Sequence, residues 1–110
     1  MEITSNPFSL GKVTTDAGTP VCIMANRTDY TDLRVHKITI QPLTTSSNLV
    51  YVGTSAMNTT TLANVIRIIK HTDPPYVIET SVGLNVFNPW ILYIDVAVNG
   101  EGIIGNVQVA

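Results

Sequence analysis

The stretch from Val35 to Gly53 sets the tightest limit on what this chain can fold into. It reads V-H-K-I-T-I-Q-P, then a small polar connection, then L-V-Y-V-G. Apolar and polar residues alternate, and a period of two belongs to a strand that buries one face. Ile38 and Ile40 point one way, while Lys37, Thr39 and Gln41 point the other. Val50 and Val52 likewise oppose Leu49 and Tyr51. Two β-branched runs joined by a polar segment predict an antiparallel hairpin. Pro42 has no N–H to give to a ladder and is expected to end the first strand or to sit at an edge.

The same punctuation recurs along the chain. Residues 13–15 and 21–24 are strand candidates separated by the turn Asp16-Ala17-Gly18-Thr19-Pro20, and residues 26–32 read as a polar loop. Residues 54–61 form a loop of small polar residues around Met57. The segment L-A-N-V-I-R-I-I-K carries two signals. Leu62, Val65, Ile66 and Ile69 fit helical spacing, but Val65, Ile66, Ile68 and Ile69 are β-branched. Branching at Cβ costs helix and suits strand, so a strand is expected over residues 65–70, with at most a helical turn before it.

His71-Thr72-Asp73-Pro74-Pro75 is a turn, and residues 76–80 are the next strand. Residues 90–98 are the strongest strand candidate, with Leu92, Ile94, Val96 and Val98 in one apolar row. Asn99-Gly100 then predicts a two-residue hairpin into a closing strand over residues 103–109, where Val107 and Val109 face inward. About eight short strands at spacings of roughly 8–12 residues predict an all-β antiparallel sandwich or small jelly roll. Residues 12–110 form this single domain, and residues 1–11 read as an irregular arm anchored by Phe8 and Leu10.

Charge bears on function. Only 13% of the 110 residues are charged, against about a quarter in an ordinary soluble domain. No Asp, Glu, Lys, Arg or His occurs from Ile38 to Ile66. A chain so poor in charge covers itself with Thr, Ser and Asn, or hides surface against partners. The net charge of -2 and the scattered basic residues give no electrostatic reason to bind nucleic acid. The first ten residues lack the positive charge and apolar core of a signal peptide, and no window reaches the length of a membrane span. Synthesis in a cytoplasm is expected, with no membrane partner.

No catalytic constellation can be assembled. Cys22 is the single cysteine and sits in the apolar run V-C-I-M, which reads as a buried small hydrophobe. His36 and His71 have no second ligand at metal spacing, and Asp29 and Asp32 match no calcium loop. Asp95 and Glu101 flank the Asn99-Gly100 turn and can meet across it, but a solvated hairpin end is the expected role. The serines stand in no nucleophile motif. No catalytic residue, cofactor site or metal site is expected. Trp90 and the four tyrosines can stack on sugars, yet spread singly they serve more often as core or interface.

Val35, Ile38-Thr39-Ile40-Gln41 and Leu43 form one motif; Asn48, Val50-Tyr51-Val52-Gly53 and Ser55 form a second; Leu92-Tyr93-Ile94-Asp95 with Gly100-Glu101-Gly102-Ile103 form a third. This set resembles a group of small β-sandwich virion proteins of tailed bacteriophages, over roughly residues 33–109. Asp73-Pro74-Pro75 stands where that group has a Pro-Gly-Glu turn. The resemblance implies a capsid decoration (cement) protein on the capsid surface of a virion, made in the host cytoplasm. Its expected partners are the major capsid protein and copies of itself, as a trimer or dimer. Phe8, Leu10, Tyr51, Met57 and Trp90 are the interface candidates. The alternatives are a neck, tail or fibre-base part, and a carbohydrate-binding sandwich.

Overall fold

The alternating runs do become strands, but they pair with distant partners. The computed structural model describes residues 7–26, 35–43, 49–79 and 88–109. Among these, the strands are β1 (Pro7–Ser9), β2 (Val13–Thr14), β3 (Val21–Cys22), β4 (Val35–Pro42), β5 (Val50–Gly53), β6 (Val65–Ile69), β7 (Tyr76–Glu79), β8 (Tyr93–Val96) and β9 (Gly102–Val109). One sheet has the order β1-β9-β4-β7, with β2 following β1 along the same edge of β9. The other has the order β3-β8-β5-β6. Every pairing is antiparallel.

The pairs nest. β2 meets β9, β3 meets β8, β4 meets β7 and β5 meets β6, alternately in the first and second sheet. A long antiparallel ribbon rolled up on itself gives this order, so the chain is an all-β sandwich with jelly-roll topology. Of the strands that follow one another directly, only β5 and β6 form a hairpin.

Two expected hairpins are therefore corrected. β4 and β5, the runs flanking residues 44–48, lie in opposite sheets. Each is an inner strand with both edges taken, β4 by β7 and β9, β5 by β6 and β8, and so neither can pair with the other. The Asn99-Gly100 turn likewise carries the chain from β8 in one sheet to β9 in the other. The strand expected over residues 90–98 shrinks to β8. Pro89–Ile91 instead form a 3-10 turn, which Asn88 caps by accepting a hydrogen bond from the Trp90 N–H (2.9 Å). Val98, expected in the apolar row, is exposed.

The inward rows meet between the sheets. Ile38, Ile40, Ile103 and Val107 come from one side, and Val50, Val52, Ile69, Ile94 and Val96 from the other. In β4 the register shifts between Val35 and Lys37, a bulge that lets Val35 and Ile38 face inward although three residues apart. Residues 7–11, expected in an arm, belong to the sandwich. β1 pairs with β9, the Leu10 N–H donates to the Gly105 carbonyl (2.8 Å), and the Leu10 side chain is fully buried. That packing requires glycine in β9. A Cβ on Gly105 would press on the Thr39 carbonyl oxygen and come 3.2 Å from Leu10 Cδ1, and one on Gly102 would overlap the Val13 carbonyl. The expected strand over residues 65–70 is found as β6, preceded by a turn with Leu62 and Asn64 at positive φ (65° and 61°) rather than by helix.

Candidate functional site

The outer strands on one side of the sandwich are β6 and β7, joined by the turn from Lys70 to Pro75. The turn is locked on itself: Asp73 Oδ2 accepts from the Lys70 N–H (2.9 Å), and the Asp73 N–H donates to the Lys70 carbonyl (3.0 Å). Pro74 and Pro75 follow and have no N–H to extend pairing. In β7, Tyr76 and Ile78 stand opposite the buried Ile40 and Ile38 and pack against the core from its margin. In β6, Ile69 is buried, and the Arg67 guanidinium reaches across to the Tyr76 ring, 5.2 Å from its centroid. This cation–π contact is the clasp between the sheets on that side. Arg67, Ile69, Asp73, the two prolines and Tyr76 line a cavity of about 400 Å³ there.

The rim of this edge exposes apolar side chains among charged ones, Arg67, Lys70, Asp73 and Glu79. Ile66 is 54% exposed and Val77 44%, and Ile68 and Leu62 are also exposed. β6 is short and β-branched, with Arg67 as its one charge. Edge strands are normally guarded by several charges, by proline or by a covering loop, because their free backbone groups invite pairing. Exposed apolar side chains of this kind are surface that another macromolecule can cover.

The residues expected at an interface are scattered. Phe8 lies on β1 opposite Val107, and its side chain is outside the described residues. Leu10 is core and has no surface to offer a partner. Met57 is nearly buried in the β5–β6 loop. Tyr51 is half-buried beside Ile68 of β6, which places it next to the open edge. Trp90 is half-buried and packs against the core. Ile66, Ile68 and Val77 were missed because, in the sequence, an exposed β-branched residue on an edge strand looks the same as a buried one.

The remaining candidates also find their places. Cys22 is half-buried, and its Sγ lies 3.4 Å from the Trp90 carbonyl, to which it donates, and 3.4 Å from the Met24 N–H, from which it accepts. Burial pushes its pKa up, and the Met24 hydrogen bond pulls it partly back. A thiol held protonated is a poor nucleophile. His71 is exposed in the β6–β7 turn. The His36 side chain, Asp29 and Asp32 lie outside the described residues, among which no three His, Cys, Asp or Glu side chains gather as metal ligands.

Asp95 is corrected. It is not at a solvated hairpin end but 2% exposed, and its Oδ1 accepts from the Gly18 N–H (3.0 Å) and the Val96 N–H (2.8 Å). Asp95 faces away from the core, but the β2–β3 turn and the β5–β6 loop cover it. Together with Gly18, Met57, Asn58, Thr59 and Thr60 it lines a second cavity of about 200 Å³.

Comparison with known family models, curated proteins and solved structures found no match to this chain.

Proposed function

We propose that this chain is a structural protein of a phage virion, a decoration protein that docks on the outside of a capsid and stabilises it without catalysis. The observation that carries the reading is the open β6–β7 edge, with Ile66, Ile68 and Val77 exposed on a domain otherwise poor in charge. Two further features support it: the three motifs that resemble virion sandwiches, and a jelly-roll topology, which viral capsid domains use as lectins and cupins also do. The partners are the major capsid protein and further copies of the chain, and the place of action is the capsid surface. Binding only to the closed shell stabilises that shell by mass action. Each fully buried aliphatic side chain contributes about 1.5–3 kcal/mol, and many weak joints per particle add up.

Particles assembled from the genome that encodes this chain provide the test. Quantitative mass spectrometry should find it in hundreds of copies, in proportion to the major capsid protein. A handful of copies removes the decoration role and leaves the neck, tail or fibre-base alternative. Absence from purified particles removes the virion reading altogether.

A further inference from the structure

The Asp95 cavity is independent of the open edge and does not rest on the capsid reading. Among the described residues, Asp95 is the one charged side chain that is buried. Removing a carboxylate from water is costly unless hydrogen bonds replace the lost hydration. The two replacements, from Gly18 and Val96, both fall on Oδ1. A carboxylate offers about four accepting positions on its two oxygens. Oδ2 is therefore the oxygen left for whatever enters the adjoining cavity.

The cavity walls narrow the choice of occupant. At roughly 30 Å³ per water in the liquid, about 200 Å³ holds several waters or one side-chain head group. Asn58 Oδ1 already accepts from the Thr60 N–H (2.8 Å) and the Thr61 N–H (3.0 Å), so that oxygen is engaged. Thr59 and Thr60 bring neutral hydroxyls, and Met57 brings a flexible apolar wall. Calcium prefers about six to eight oxygen ligands, usually with several carboxylates, and Asp95 is the sole carboxylate in this lining. A guanidinium is best held by two free carboxylate oxygens in its planar fork, whereas here Oδ1 is taken twice. A primary ammonium fits what remains. It has three donors and one charge, for Oδ2 and the threonine hydroxyls, and its aliphatic stem can lie along Met57.

We infer that this cavity is a socket for a lysine side chain presented by a partner protein, with Asp95 Oδ2 as its counter-charge. The test uses the folded full chain, with n-butylammonium as the lysine head-group probe, followed by amide NMR. Butylammonium should give saturable shifts at the Gly18, Val96 and Thr60 amides, while methylguanidinium and Ca²⁺ bind more weakly. Asp95→Asn keeps the Oδ1 acceptor and loses the charge, so it should weaken butylammonium binding by about tenfold or more. Thr59→Leu fills the cavity without touching Asp95 and should have a similar effect, and it decides the matter if the Asp95 variant does not fold. Shifts that never saturate, equal affinity in the variants, or tighter binding of methylguanidinium or Ca²⁺ would overturn the assignment.

Discussion

The two long edges of this sandwich are finished in opposite ways. On the side of β2 and β3, loops are sewn down by hydrogen bonds. Asn26 Nδ2 donates to the Lys12 carbonyl (2.7 Å), the Ala17 N–H to Asn99 Oδ1 (2.9 Å), the Gly18 N–H to Asp95 Oδ1 (3.0 Å) and the Gly100 N–H to the Thr15 carbonyl (2.9 Å). The last three of these bonds tie the chain's early turns to its last quarter. On the side of β6 and β7, the described residues show one self-contained turn and the Arg67–Tyr76 clasp, and Ile66, Ile68 and Val77 are exposed. A sheet must deal with its edges either by covering them or by giving them a partner. Among the described residues, one edge is tied down by hydrogen bonds across the chain and the other exposes apolar side chains.

The largest effect is expected where the two edges meet. Ile94 of β8 is fully buried, stands opposite Val21 of β3 on one side and Val52 of β5 on the other, and so links both edges through the second sheet. Ile94→Ala should cost about 2–5 kcal/mol in urea unfolding, a large part of a small domain's stability. Hydrogen exchange should accelerate at both edges together. Acceleration at one edge alone would show that they unfold separately.

Gly102→Ala should sharpen the contrast. Its new Cβ would overlap the Val13 carbonyl and sit 2.8 Å from Thr14 Cα, both backbone, so β2 must move away from β9. Overpacking of this kind costs about 1–3 kcal/mol. The Thr15 and Gly100 amides, which bridge the covered edge, should lose protection while the Lys70 amide in the β6–β7 turn keeps it. Equal loss at all three would mean that the edges are not independent.

These outcomes bear on what was legible in the sequence. Period-two alternation located β4, β5 and β6 and their inward rows, because a strand's face depends only on its own residues. Sheet membership was not legible. Turn chemistry such as Asn99-Gly100 says that the chain reverses, not whether the next strand stays in the sheet or crosses the core. Partners as distant as Val13 and Ile103 are chosen by the whole core. Asp95 was misread for the same reason: its cover comes from Gly18 and from residues 57–60, neighbours only in the folded state. Leu10, placed in an arm by its polar surroundings, is core because Gly105 leaves room for it.

A smaller effect follows from Cys22 on the covered edge. Its pKa is raised in the fold by burial. A group with a raised folded pKa contributes stability that is fully present below its unfolded value. That contribution is lost as pH rises through the folded one. Stability should therefore fall above pH 9.0, the ordinary thiol value, in excess of any fall seen in Cys22→Ala. Denaturation curves at neutral and alkaline pH on both proteins measure this. Parallel pH profiles would mean that the thiol ionises equally well in both states.

The smallest stability effect is expected where the functional effect is greatest. Ile66→Thr with Ile68→Thr keeps Cβ branching, so the strand preference of β6 survives. Both side chains are already exposed, and surface changes of this kind stay within about 0.5 kcal/mol. Occupied shells are different. Covering each isoleucine would remove the surface it still exposes, about 1 kcal/mol per residue at half of the full-burial value, and two such losses weaken each joint by about tenfold or more. The double variant should melt with the parent protein yet dissociate from capsids at lower temperature or higher dilution, by sedimentation of decorated shells. Gly102→Ala gives the mirror image, reduced stability with docking kept at temperatures where it remains folded. If the double variant decorates shells at full occupancy, the open edge is not the docking face, and the division of labour between the two edges fails with it.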